Sequence, residues 1–309
     1  MGSGTIGRSM RGWTCVVVGA LLAVGGTALA QERFSVFVGS NPEAIERMVR
    51  VADLQEGGVV TDLGSGDGRI VIAAVQSRAG VRGWGVDVDE KFVNEANTEA
   101  KKLGLAERVQ FFHRHAFDAD LCQASVIFMW LWPELMHLLR TKILAEARPG
   151  TRVVTSIWDL GNWKPDRKDD GQLPVNLWVV PARVAGNWNW ELTVGGSRRN
   201  YAAILDQCYQ NIEGVVRAGD RRGIFQHMKI TGDNLSFSLD MALDGTGPTR
   251  HEFNGHEFNG RVSGDRITGA VRTVQFKDEQ EISEGMTLQW QATRAASSAH
   301  FEPTGLEKR

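Results

Sequence analysis

The chain has 309 residues, 35 Lys plus Arg against 37 Asp plus Glu, and a formal net charge of -2. At roughly 150 residues per domain, that length suggests two domains. The near balance of charge gives no bulk attraction to nucleic acid, and no run of like charge stands out as a basic arm, so no nucleic-acid partner is expected.

The first thirty residues carry Arg8 and Arg11, then an apolar run from Trp13 to Gly26, then Ala28-Leu29-Ala30 before Gln31. A basic start, an apolar middle and an A-x-A site read as a signal peptide over 1–30, which predicts an exported, periplasmic or secreted protein. The rival reading is an uncleaved anchor in the inner membrane. The uncharged stretch from Gly12 to Ala30 is about as long as the roughly 17 to 25 residues that span a bilayer, and only this reading brings a membrane partner. Cys15 lies in this segment. Cys122 and Cys208 remain beyond it, and whether they pair is not readable from spacing.

Over residues 34–174 helix and strand patterns alternate, which predicts an α/β, doubly wound, Rossmann-like domain with a mainly parallel sheet. A helix starting at Pro42 leads in. Strands are predicted near 58–63 and 82–88, at Arg108–His113, at Ala124–Trp132 and at Thr151–Trp158. Helices are predicted from Arg69 to Arg78, from Asp89 to Leu103 and from Pro133 to about Arg148. In such sheets ligands sit beyond the carboxyl ends of the strands.

The first strand empties into Asp62-Leu-Gly64-Ser65-Gly66-Asp-Gly68-Arg69. Alternating glycines let a backbone turn sharply and approach a ligand closely. A dinucleotide fingerprint places its third glycine where Arg69 stands, so NAD is disfavoured. The acid before the first glycine resembles motif I of class I S-adenosylmethionine (SAM) methyltransferases. About 20 residues on, the next strand ends in Asp87, at the spacing expected of a carboxylate that accepts ribose hydroxyls.

Further motifs extend the resemblance over roughly residues 34 to 182. They are Asp62-Leu-Gly-Ser-Gly-Asp-Gly-Arg-Ile-Val, Phe117-Asp-Ala-Asp-Leu, Leu131-Trp-Pro-Glu-Leu, Lys142-Ile-Leu-Ala-Glu-Ala-Arg-Pro-Gly-Thr, and Asp159-Leu-Gly-Asn-Trp-Lys-Pro-Asp. In this order they resemble bacterial relatives of the mitochondrial lysine methyltransferases that act on the adenine nucleotide translocator and the ATP synthase c subunit. The resemblance implies SAM as cofactor, held by Asp62, Gly64, Ser65, Gly66, Gly68, Asp87, His115, Ala116, Asp118 and Trp130. It also implies a protein or peptide lysine as methyl acceptor. Two departures stand out: His115 occupies a place where relatives usually have an acid near the adenine, and Thr155-Ser-Ile-Trp158 stands where they commonly read Ser-His-Asp-Phe.

Methyl transfer to an amine needs alignment above all, together with a deprotonated nucleophile. A lysine amine has a pKa of about 10.4, and a dry aromatic site disfavours its ammonium. Trp132, Glu134 and Asp159 are the catalytic candidates, at strand ends shared with Trp130 and Trp158. The tryptophans have core packing as their alternative role, and Glu134 a first-turn helix position.

Over 175–296 short alternating strands with turn signals predict an antiparallel β-meander or small barrel, followed by a flexible tail over 297–309. Gly186-Asn-Trp188, Gly232-Asp-Asn and Gly264-Asp-Arg resemble lipocalin-like meanders. The strand at Leu177 has the alternative of completing the first sheet. His251-Glu-Phe-Asn-Gly255 repeats at once as His256-Glu-Phe-Asn-Gly260. Strand alternation would send each His and its Glu to opposite faces, so no metal site is expected. The reading is therefore a SAM-dependent methyltransferase acting on a protein amine. Its alternatives are an exported, inactive methyltransferase fold whose barrel binds a lipophilic ligand, and a small-molecule methyltransferase.

Overall fold

The computed structural model describes residues 41–194, 197–240, 252–277, 280–283 and 286–300. The signal or anchor segment, Cys15, the tail beyond 300 and His251 of the first His-Glu pair lie outside these residues.

The first layer begins with helix α1, Pro42–Val51, whose N-terminus is capped by the Asn41 side chain, with proline in the first turn. Strands β1 (Val59–Leu63), β2 (Arg82–Asp87), β3 (Val109–His113), β4 (Val126–Met129) and β5 (Arg152–Ser156) alternate with helices α2 (Arg69–Ser77), α3 (Glu90–Lys102) and α4 (Pro133–Glu146). Two more strands, β6 (Arg167–Asp169) and β7 (Val175–Val179), complete a sheet of order β3-β2-β1-β4-β5-β7-β6. The first five strands are parallel, and β7 returns antiparallel to β5. The strand order reverses between β1 and β4, the switch point at which doubly wound sheets take their ligands.

Two sequence expectations change here. The break between domains, expected at 174/175, lies beyond Val179, because Val175–Val179 pairs along its whole length with β5. Apolar character in Leu177 and Trp178 serves a buried central strand, the alternative weighed at Leu177. The fourth and fifth strands are also shorter than their apolar runs. Trp130 to Trp132, and Ile157 with Trp158, peel away at the carboxyl ends, where the chain turns into the site.

The second layer is a closed, eight-stranded antiparallel barrel. Its strands are β8 (Gly186–Val194), β9 (Ser197–Cys208), β10 (Asn211–Ala218), β11 (Arg221–Thr231), β12 (Asn234–Asp240), β13 (Glu252–Ser263), β14 (Arg266–Lys277) and β16 (Thr287–Arg294), with a short β15 (Gln280–Ser283) beside β14. Pairing of β13 with β14 and of β16 with β8 closes the ring. Closure leaves these eight strands without an unpaired edge. Gly264 adopts φ +58° and turns β13 into β14. β11, Arg221-Arg-Gly-Ile-Phe-Gln-His-Met-Lys in its first nine residues, lacks clean alternation and carries an irregularity between Gln226 and Lys229.

Inside the barrel Trp190 stacks on Tyr201 at 5.0 Å, and Phe237, Phe258 and Trp290 pack around them edge-on or stacked. Burial pushes the Tyr201 hydroxyl up to about 12. His256 is buried, whereas Glu257 points outward to Arg272 at 3.0 Å, so the alternation expected for the repeat holds in its second copy. No cluster of His, Cys, Asp and Glu suited to a metal occurs among the described residues.

One end of the barrel rests on the first domain. Tyr209, in the turn between β9 and β10, stacks on Trp163 at 5.9 Å and lies under the Arg140 guanidinium. Gln210 donates to the Lys164 carbonyl at 2.6 Å. Arg183 donates to the carbonyls of Leu144 and Ala145, satisfying the last turn of α4. Cys122 and Cys208 are both exposed and unpaired.

Candidate functional site

The loop after β1 lies over the end of β2. Gly64 and Ser65 both donate their N–H to the Val86 carbonyl at 2.9 Å. A side chain on Gly85 would run into Ser65 at 2.5 Å, so that glycine lets the loop descend onto the strand. Gly68, at φ +79°, starts α2 without any side-chain cap, which leaves helix N–H groups turned toward the loop. A Cβ there would meet the Phe111 ring at 2.4 Å.

Asp87 closes this arrangement. One carboxylate oxygen accepts the Gly66 N–H at 2.8 Å, and the other accepts the Asp89 N–H at 2.9 Å. Asp89 in turn caps α3. Beneath the loop Asp62 is buried, and burial, followed by the nearby Asp87 and Asp67 carboxylates, raises its pKa well above the usual carboxylate range. Asp67 turns outward to pair with Arg69, the residue that stands where a dinucleotide fold would have glycine.

The loop fits a cofactor. Thr61 Oγ1, Asp62 Oδ1 and Ser65 Oγ are buried, and no group among the described residues hydrogen-bonds to them. Such atoms cost free energy unless a ligand or water completes them. Asp62, Gly64, Ser65, Gly66, Gly68 and Asp87 therefore come together as expected and could hold a nucleoside and an amino-acid moiety.

Beyond β3, His115 caps a 3-10 turn over Ala116–Asp118: its Nδ1 accepts the Phe117 N–H at 3.3 Å, and its ring stacks on Phe117. Ala116 is buried and Asp118 exposed. Trp130, at the end of β4, packs against the core on the α1 side.

The second wall holds the acceptor candidates. Trp132 and Trp158 stack with centroids 6.4 Å apart, yet remain 45% and 41% exposed, too open for a core role. Glu134 and Asp159 are exposed beside them in sequence. Trp158 owes its place to a tight turn. Ile157 adopts φ +68°, rare for a β-branched residue, and the Trp158 N–H donates to the Ser156 carbonyl at 2.8 Å. Thr155 Oγ1 and Asn176 Nδ2 donate to the Trp158 carbonyl at 2.5 and 3.3 Å. Asp159 accepts the Gly161 N–H, and Gly161 passes close to Arg140 and His137 on α4. The segment then reaches Trp163, braced by the barrel through Tyr209.

Sequence reasoning missed Ile157, Asn176 and His137. No motif marks the strained turn, and Asn176 enters only because β7 belongs to this sheet. His137, whose Nε2 is buried without a partner, follows Glu134 by three residues on α4; that spacing was the one available signal.

A parallel switch-point sheet, a three-glycine loop with orphaned polar atoms, and an acid fastening that loop from the next strand define a class I SAM-dependent methyltransferase. Comparison with known proteins agrees. The ANTKMT methyltransferase domain matches residues 62–167. A protein-lysine N-methyltransferase of Saccharolobus islandicus is 30% identical over 149 residues, covering 47% of this chain and 92% of the relative. The adenine nucleotide translocase lysine N-methyltransferase of Mus musculus is 31% identical over 156 residues, covering 50% of this chain and 67% of that one. Among solved structures, an RNA methyltransferase from Salinibacter ruber in complex with S-adenosyl-L-homocysteine shares 38% identity over 48% of this chain and 96% of its own, with a TM-score of 0.46. The chain belongs to the ANTKMT-type methyltransferase family, and SAM is its cofactor.

Proposed function

We propose that this protein transfers the methyl group of SAM to a lysine amine of a protein or peptide, which enters between Trp132 and Trp158. The exposed, stacked pair at the mouth of the cofactor loop carries this reading, because aromatic faces hold a cationic side chain while excluding water. The names of the relatives, both lysine N-methyltransferases, support the same acceptor.

SAM supplies an electrophilic methyl on a sulfonium. Asp87 and the N–H groups of the glycine loop would hold the nucleoside end, and Asp62 and Ser65 the methionine end. His115, Ala116 and Asp118 would line the adenine side, with Trp130 at the end of β4 beside the cofactor loop. Trp132 and Trp158 aim the amine, whose lone pair forms the new C–N bond as the C–S pair returns to sulfur. Glu134 and Asp159, exposed and close in sequence to the two rings, are the candidate acceptors of the amine proton.

The barrel, in this reading, is a lipocalin-like module that braces the acceptor wall through Tyr209 and Trp163. Packed rings across its interior leave a lipophilic ligand without support. The net charge of -2 does not favour RNA as acceptor. Export by the 1–30 signal segment is part of the same proposal. Detection of Gln31 as the mature N-terminus by mass spectrometry supports it, and an intact segment in the membrane fraction overturns it.

The test is calorimetric titration of SAM, followed by incubation with radiolabelled cofactor and a peptide or protein mixture. Label recovered on lysine supports the proposal, and label found only on small molecules or other side chains overturns it.

A further inference from the structure

Ile204 of β9, Val215 of β10 and Ile224 of β11 form one row across three adjacent strands, because Val215 is in register with both isoleucines. All three face outward, 57%, 63% and 73% exposed, away from the aromatic interior. Two residues further along the strands, Ala202, Arg217 and Arg222 form the next row. Arg217 and Arg222 stand directly opposite one another, and no ion-pair partner of either occurs among the described residues. Like charges facing across strands are destabilising, so this pair has its use in an anion from outside. On the other side of the aliphatic row lie Asp206 and Glu213, also in register, toward the turn that touches Trp163.

We propose that this face of the barrel docks on a membrane surface carrying anionic lipids, with the three aliphatic side chains entering the interface and the two arginines on the headgroups. A second copy of the chain is the weaker occupant: three side chains offer roughly 300 Å², against about 800 Å² per partner in a stable interface. Among the described residues a peptide strand is offered only the four-residue edge of β15, since the eight barrel strands close on one another. The acidic row sets the orientation, since an anionic surface repels Asp206 and Glu213 and attracts the arginine end. Docking concerns the barrel alone and is independent of the methyl acceptor. It nevertheless brings the first domain near the bilayer, because Val215 is five residues, about 17 Å of strand, from Gln210 on the Lys164 carbonyl.

The test is cosedimentation of the full chain with phosphatidylcholine vesicles, with and without phosphatidylserine. Two variants are compared with the native chain: Ile204→Ser/Val215→Ser/Ile224→Ser and Arg217→Gln/Arg222→Gln. SAM affinity and melting temperature report that each is folded. Expected are binding that requires phosphatidylserine and weakens with salt, about thirtyfold weaker partitioning without the two arginines, and at least about tenfold weaker partitioning without the aliphatic row. No binding, or equal binding by both variants, overturns the proposal. So does a native dimer that the variants dissolve without any vesicle partition, which makes the face a contact between copies. Ile224→Trp gives an independent reading: its emission shifts to the blue on phosphatidylserine vesicles if the row inserts, and an unchanged spectrum overturns the proposal.

Discussion

The Asp87 carboxylate accepts the Gly66 N–H at 2.8 Å, so the acid at the end of β2 shapes the loop after β1 before any cofactor arrives. Replacing Asp87 with Ala removes both a ribose partner and this fastening. With charged hydrogen bonds worth about 1.5–3 kcal/mol, SAM affinity should fall at least tenfold and by as much as a hundredfold. Calorimetry on the two proteins decides it, and equal affinities would take Asp87 out of the cofactor site.

Trp132 and Trp158 should separate acceptor from cofactor. Trp132→Ala and Trp158→Ala each lose an aromatic face worth about 0.5–2 kcal/mol to a cation, which is a rise of roughly threefold to thirtyfold in KM for the lysine substrate. SAM affinity should stay within about threefold of the native value, because neither ring lies in the glycine loop. A fall confined to SAM binding would place the pair on the wrong ligand.

Gly68→Ala is expected to destabilise the first domain by more than about 2 kcal/mol. Its φ of +79° disfavours a side chain, and the new methyl would meet Phe111 at 2.4 Å and Ala96 at 2.9 Å, both within the core. Urea denaturation measures the change. A variant as stable as the native chain would mean that the loop and β3 yield more easily than their packing indicates.

Asp62 and Asp169 should move stability with pH in opposite senses. Burial raises the pKa of Asp62, so the folded chain keeps a proton that the unfolded chain loses above about pH 4; this acid lowers stability as pH rises from there. Asp169 is held below the usual range, first by its hydrogen bond from Arg47, so its contribution is present above about pH 4 and is lost in acid. In urea titrations of the ligand-free protein, Asp62→Asn should therefore gain on the native chain toward neutrality. Asp169→Asn should lose most at neutrality and approach the native chain in acid. Parallel curves for either variant would refute the assigned shift.

The cofactor half was readable because its chemistry is local: Asp62, the three glycines and Asp87 sit at spacings fixed by one strand, one turn and the next strand. The acceptor half was only partly readable. Trp132 and Trp158 were visible as residues at strand ends, but their stacking depends on Ile157 in a left-handed turn and on Asn176 reaching across from β7, neither of which has a periodicity. Turns such as Gly232-Asp233 announced the barrel hairpins, while alternation does not mark β11, because Ile224 lies on its outer face and its register shifts between Gln226 and Lys229. Closure was readable only as one alternative, a small barrel beside an open meander, since it depends on pairings between distant strands.

That closure also governs how the chain acquires its shape. The seam joining Trp190 to Ala292 links residues about a hundred positions apart, whereas the helices and strands of the first domain pair mostly with near neighbours. Loops that long are slow to close, and β16 leaves the ribosome after the other seven barrel strands. The first domain therefore has time to form while the barrel is still an open ribbon. Tyr209 and Trp163 are both present in the nascent chain long before Ala292, so their contact can precede the seam that seals the ring.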